Sequence, residues 1–448
     1  MLTQGSSFPG TSGSLSQEAT GGCASFISSR KLKVTFLSYD WGSTKGGFNR
    51  ELAIQLAKYD NVEVSMYLPL CSEEDKIAAA KFRVRLVEPK KKLGFCPIDW
   101  LVGFPKDHHM DVVIVHGIHL GRRVPVIKEL HPDCKWIQVV HTDFKQLAMS
   151  MDYAVPTVKA AKKYQVEGEL CELADGVLAV GPKATEAVTC YLRSYGKDQE
   201  VINLTPGIFS EFANINQAAE ERETFCVLVF GHDDSEDFVG KGYDIAARAV
   251  ASLRDEECSF KLMVVGAPHG DRDKVKERFL KEGISPSRLS IVRSAREREQ
   301  LAMLFCEADL VMMCSRTEVF GLAALEALSA GLPVLVSDNS GIGKALKKVR
   351  YGSNFVVDSE EPRKWAEHIR AICRKERNVR LEEVALLRQN YAETYQWERQ
   401  CTPLLEKMLE LICVSDTLVS LLLPVASGTS VTHLAIALCA PFFVFTTF

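Results

Sequence analysis

The sequence predicts an α/β protein of two doubly wound, Rossmann-like domains facing each other across a cleft. Three observations lead there. The chain has 448 residues, too many for one ordinary core, so two domains of roughly 150 to 200 residues are expected. Short, wholly apolar runs of strand length alternate with helical patterns, as covered parallel sheets require. That alternation runs once from about residue 32, pauses over 205–222, and begins again at Phe225.

In the first half, residues 33–38 read as a strand, a glycine-bearing loop follows (42–47), and 49–58 reads as a helix before a strand at 62–68. Further strands are expected at 83–87, 112–115, 136–140, 177–180 and 201–204, with helices at 159–174 and 182–194. The first loop lacks the G-x-G-x-x-G spacing, so no nicotinamide cofactor is expected. Strands 112–115 and 136–140 are each followed by a histidine, His116 and His141, at the edge where such sheets place ligands. A lone histidine at a strand end is more often a structural group.

In the second half, the strand 225–230 leads through an acidic loop (232–237) to Gly240-Lys241-Gly242 and an alanine-rich helix, 243–253. Strands at 261–265, 289–292, 310–313 and 333–337 alternate with helices at 273–282, 297–308 and 323–330. The segment 392–411 reads as one long amphipathic helix.

Composition is that of an ordinary globular protein, with 46% apolar and 25% charged residues. Lys plus Arg (54) nearly balances Asp plus Glu (58), so no nucleic-acid partner is expected and phosphate recognition should be local. The 14 cysteines form no CxxC pair or metal-like spacing and read as reduced thiols of a cytoplasmic protein. Residues 1–30, rich in Gly, Ser and Thr, read as a disordered leader. The last stretch, 417–448, holds no Asp, Glu, Lys or Arg, and its window 431–448 reaches the lower end of a membrane-spanning length. It reads either as a membrane-contacting tail or as a peripherally packed extension.

The densest chemistry lies in 314–338. Ser315 and a polar turn follow the apolar strand, Phe320-Gly321-Leu322 open a helix, and Gly331 closes it with Pro333 beyond. Glu318 lies in the loop, and Glu326 lies on a helix that is otherwise apolar. A buried carboxylate needs compensation. Either Glu326 is paired with a neighbouring Arg or Lys, or both carboxylates face a cleft where backbone amides at the helix N-terminus meet an anion.

Glu318 and Glu326, preceded by Ser315 and enclosing Phe320-Gly321-Leu322, resemble the signature of retaining glycosyltransferases of the GT-B fold, family GT4. The resemblance covers most of 32–411. It implies an acceptor-side domain at 31–205, a nucleotide-sugar-binding domain at 206–391, a crossover helix at 392–413 returning to the first domain, and an apolar tail at 414–448. It further implies a hexose donor activated as a nucleotide diphosphate sugar, an acceptor it does not name, and neither a metal ion nor a cofactor. Glu318 would contact hydroxyls of the donor sugar, and Glu326 those of the ribose. Amides at Phe320, Gly321 and Leu322 would hold the diphosphate, and Gly46 and Gly47 would let backbone approach it. Lys241 would neutralise the leaving group, and His141 would stand at the cleft mouth beside the transferred sugar.

Three departures bear on activity. Gly231-His232 stands where the family has Gly-Arg, leaving His232 as the second cation on the diphosphate beside Lys241. Val319 replaces a glycine, and Thr205-Pro206-Gly207-Ile208-Phe209 lacks the polar residues of the family's Asn-Gly-Val-Asp turn. The alternative reading is therefore a catalytically weakened GT-B protein that binds or scaffolds around a nucleotide sugar or glycan.

Overall fold

The computed structural model describes residues 30–42, 47–105, 107–141, 158–231, 238–253, 258–267, 272–293, 295, 297–316 and 318–422. Seven strands form the first sheet: β1 (Leu32–Leu37), β2 (Val62–Tyr67), β3 (Val84–Val87), β4 (Val112–His116), β5 (Lys135–Val140), β6 (Gly176–Val180) and β7 (Val201–Leu204). They are parallel throughout, in the order β3-β2-β1-β4-β5-β6-β7. The helices of this domain are α1 (Gly47–Leu56), α2 (Glu73–Ala80), α3 (Gly117–Gly121), α4 (Val124–Leu130), α5 (Val158–Leu173) and α6 (Gly181–Ser194). Val112, Val113, Ile114 and Val115 are all fully buried, because helices cover both faces of the sheet and leave no solvent side for alternate residues.

The second sheet has six parallel strands: β8 (Thr224–Phe230), β9 (Ser259–Ala267), β10 (Leu289–Arg293), β11 (Leu310–Met313), β12 (Val334–Ser337) and β13 (Val356–Val357). Their order is β10-β9-β8-β11-β12-β13. Its helices are α7 (Tyr243–Ser252), α8 (Arg272–Lys281), α9 (Arg298–Glu307), α10 (Leu322–Ser329), α11 (Gly341–Leu346), α12 (Pro362–Cys373) and α13 (Arg377–Thr394), and α14 (Trp397–Leu422) ends the described chain. In each sheet the strand order reverses between its first strand and the fourth, β1|β4 and β8|β11. The loops after those strands open a crevice there, where doubly wound sheets bind ligands.

The terminal helix differs from the expectation. The sequence suggested one helix from 392, but α13 ends at Thr394, the chain turns at Tyr395, and α14 begins at Trp397. The turn exists because the chain crosses the hinge here. The Tyr395 hydroxyl donates to the Ala345 carbonyl at 3.2 Å, and Trp397 Nε1 donates to the Ile208 carbonyl at 2.9 Å. Beyond the turn, α14 packs on the first domain against β7, β5 and α1, burying Cys401, Leu404 and Met408. Among the described residues no helix is long and apolar enough to cross a membrane. The leader up to residue 29 and the tail beyond Leu422 lie outside the described residues.

The start of α7 shows how the second domain shapes its crevice. Gly242 has φ +69°, and a Cβ there would lie 2.1 Å from the Cys314 carbonyl oxygen. The contact is reciprocal, since Cys314 Sγ donates to the Gly242 carbonyl at 2.9 Å. Gly242→Ala combines an unfavourable backbone conformation with a backbone collision. It should destabilise the protein by about 2 to 4 kcal/mol, seen as a lowered urea midpoint.

Candidate active site

The loop after β11 and the turn before α7 are sewn together residue by residue. Ser315 Oγ donates to the Gly240 carbonyl at 3.1 Å, and the Arg316 amide donates to the same oxygen at 2.8 Å. Arg316 then reaches Asp244 through two bonds, 2.8 and 3.1 Å. Lys241 and Glu318 are brought together at the crevice by this clamp, with Nζ 3.1 Å from Oε2 and both side chains about one-quarter exposed. Partial exposure keeps the pair accessible from the crevice.

Glu318 leads into Phe320 and Gly321, the residue before α10, at φ +102°. On α10 itself, Glu326 is buried and meets Arg298 of α9, Nη2 to Oε1 3.6 Å. Burial pushes the Glu326 carboxyl up to about 7; Arg298 opposes that shift and Glu211 adds to it. Glu326 is ion-paired with an arginine and also lines the crevice. Gly47, at the start of α1, touches this pair. A Cβ at Gly47 would fall 2.4 Å from Arg298 Nη1 and 3.0 Å from Glu326 Oε1, so a side chain there would have to displace the Arg298–Glu326 pair.

On the opposite wall His116 and His141 stack with their rings 5.0 Å apart, and Nδ1 of His116 lies 2.9 Å from Nε2 of His141. Phe48 presents its ring edge-on to both, at 5.4 and 5.2 Å. Desolvation lowers both histidines, His141 to about 4 and His116 well below its ordinary value with further help from His141. Both are therefore neutral imidazoles at pH 7. His141 offers a hydrogen bond at the cleft and no fixed charge.

These walls enclose a cavity of about 800 Å³ that is lined from both domains, among others by Gly47, His116, His141, Lys241, Glu318, Phe320, Gly321, Leu322 and Glu326. Of the ten residues expected at the site, eight thus converge on one cavity. Gly46 and His232 lie outside the described residues. Sequence reasoning did not single out Arg298, Glu211 or Lys183. The buried Lys183, near the start of α6, crosses the domain boundary to donate to the carbonyls of Glu318 (3.1 Å) and Asn339 (2.8 Å). The hinge also keeps polar contacts that its sequence suggested were missing. They sit further along, where Ser210 Oγ donates to Glu51 at 3.1 Å and Glu211 takes Arg50 Nη1 at 2.7 Å and the Nε of Arg298.

Two parallel-sheet domains joined by a hinge, with a charged crevice between their carboxyl edges, define the GT-B class. Solved structures agree in fold. Sucrose-phosphate synthase from Thermosynechococcus elongatus superposes with a TM-score of 0.60 at 17% identity, covering 87% of this chain and 100% of that one. Anabaena HepE in complex with UDP and glucose gives 0.60 at 16%, with the same coverage. The chain belongs to the family 4 glycosyltransferases, matching the profile described as "Family 4 Glycosyltransferase in conflict systems" over residues 35–404. Curated relatives include the D-inositol 3-phosphate glycosyltransferases of Rhodococcus opacus, 30% identical over 50% of this chain and 51% of the relative, and of Corynebacterium diphtheriae, 28% identical over 60% and 64%. The matches span about half to under two thirds of those relatives' length.

Two outcomes follow from this geometry. Lys183→Met removes charge-assisted bonds between the domains, and it should destabilise the protein by about 1 to 3 kcal/mol, seen as a lowered melting midpoint. A thermal melt of the variant against wild type measures it. The histidines provide the second. Their folded values lie below the ordinary 6.5, so the stability they contribute is complete above about pH 6.5 and is lost as pH falls toward about 4. Urea unfolding between about pH 7.5 and 5 should show wild type losing more stability than His141→Gln.

Proposed function

We propose that the chain is a retaining glycosyltransferase that moves a hexose from a nucleotide diphosphate sugar to an acceptor without a metal ion. The observation that carries this is the Lys241–Glu318 pair, 3.1 Å apart, at the floor of a cavity whose opposite wall holds His141. A retaining transfer by front-side departure and attack makes three demands. The sugar must be held, the departing diphosphate must be neutralised, and water must be kept out.

Each demand has a candidate residue. Glu318 accepts hydrogen bonds from hydroxyls of the transferred sugar, as a carboxylate can from a diol. Lys241, released from Glu318 onto the β-phosphate, offsets the charge that develops as the glycosidic bond breaks. The start of α10 at Phe320, Gly321 and Leu322 receives the diphosphate with the positive end of the helix. Glu326 takes the ribose hydroxyls, and neutral His141 donates a hydrogen bond beside the reacting carbon. Gly47 admits the first domain to the site, and closure of the domains excludes solvent.

Hydrolysis or transfer of a nucleotide sugar by purified protein tests the assignment. Glu318→Ala and Lys241→Ala should each lower turnover by about a hundredfold or more, and equal rates in all three proteins would sink it. A thermal-shift screen over uridine, guanosine and adenosine diphosphate sugars identifies the donor. UDP-glucose comes first because the HepE structure holds UDP and glucose.

A second reading, a nucleotide-sugar- or glycan-binding module of reduced activity, draws on Val319, on Gly231-His232 and on the pairing of Glu326 with Arg298. Calorimetric binding without turnover across a broad acceptor panel would favour it, and any stereoretentive product removes it.

A further inference from the structure

Glu326 is the one charged side chain on α10, where Ala324, Leu325, Ala327 and Leu328 are fully buried around it. Left alone, such a carboxylate would take up a proton rather than stay charged. Its counter-charge comes from another element and is held in place with some care. Arg298, only 2% exposed, lays its guanidinium on the Phe212 ring at 4.8 Å and directs Nη2 to Glu326. Glu211 of the hinge holds its Nε, while the other Glu211 oxygen takes Arg50 of α1. The remaining nitrogen, Nη1, is buried against Gly47 with no hydrogen-bond partner, so one donor of the fork is available when the first domain moves.

We propose that Arg298 is a positioning residue for nucleotide recognition. It favours the ionised form of Glu326 against the cost of burial and aims the carboxylate at the ribose diol of a nucleoside diphosphate, and through Glu211 and Arg50 it links that state to the angle between the domains. The proposal rests on the glycosyltransferase reading above. The chemistry is direct, because an ionised carboxylate accepts from both hydroxyls of a vicinal diol, whereas a protonated one gives up part of that capacity. The arginine fork suits the task because it can hold two carboxylates at once in fixed geometry, which a lysine cannot.

The charged groups facing Glu326 are Arg298 from α9 and Glu211 from the hinge, with Arg50 of α1 behind Glu211. The cleft histidines across the cavity are neutral. Burial lifts Glu326 to about 7 against the pull of Arg298, so withdrawing Arg298 moves its titration higher still. Nucleotide binding should then need a higher pH.

Calorimetry on the full chain with UDP-glucose, GDP-mannose and ADP-glucose, from about pH 5.5 to about 8.5, tests this on wild type, Arg298→Met and Arg298→Lys. Arg298→Met should weaken binding at neutral pH on the order of tenfold and raise the pH midpoint of binding by about one unit. Arg298→Lys should shift the midpoint in the same direction by less. Should the methionine variant fail to fold, the lysine variant carries the test. A wild-type affinity and pH profile in the folded variants would overturn the proposal, as would lowered stability with an unmoved midpoint, the mark of a merely structural role.

A second arm needs no ligand. The folded Glu326 titrates above the ordinary 4.5, so the stability linked to its proton is complete below about 4.5 and lost as pH rises through about 7. Urea unfolding of wild type against Glu326→Gln should show that loss, and in the Arg298→Lys background the loss should move to higher pH. No movement there overturns the hold of Arg298 on Glu326. Failure of wild type to bind any of the three nucleotide sugars counts instead against the glycosyltransferase reading, and the unfolding arm still decides the pairing.

Discussion

One carboxylate, Glu211, sits where the two domains and the cleft meet, and the arrangement of the site depends on it. It takes Arg50 from the first helix of one domain and Arg298 from the edge of the other domain's crevice. Removing one member of such a cluster is costly in a partly dry setting, because it leaves a charge there without its partner. Because Glu211 belongs to the hinge, this three-charge cluster lies at the junction of the two domains. It lies beside the close approach of Gly47 to Arg298 and Glu326.

Among the described residues, the charges at the centre of the cleft have partners. Lys241 is engaged by Glu318, Arg298 by Glu326 and Glu211, and the two histidines are neutral. In the cavity of about 800 Å³, the Lys241–Glu318 pair presents both signs of charge side by side. Binding an anionic ligand then means exchanging internal partners, which favours a ligand presenting both negative charge and hydroxyl groups. A simple anion satisfies Lys241 but leaves Glu318 without a partner.

Much of the fold was legible because covered parallel strands are written as unbroken apolar runs, such as Val112 to Val115 and Leu310 to Met313, and few other structures produce that pattern. The site was legible where a residue violated its surroundings, as Glu326 does on an apolar helix. Arg298 was hidden for the opposite reason. It sits in a stretch rich in Arg and Glu around 296–299 that reads as the solvated start of a helix, and nothing local says that one of those arginines turns inward. Lys183, in the first turn of α6, has the same disguise. The break before Trp397 was missed because helical periodicity continues on both sides, and only contacts with the distant hinge impose the turn.

The return of the chain at Tyr395 and Trp397 has a mechanical consequence. The polypeptide passes between the domains twice, and the two passages are fastened to one another: Tyr391 hydroxyl to the Pro206 carbonyl at 2.9 Å, the Thr205 amide to Gln400 at 2.9 Å, and Trp397 to Ile208. A single tether would let one lobe swivel and twist freely against the other. Two tethers laced side by side act as a strap of finite width, stiff to twisting and compliant to bending about one line. Any parting of the lobes is thereby confined to bending about that line, which would bring residues on opposite rims of the cleft back to the same register.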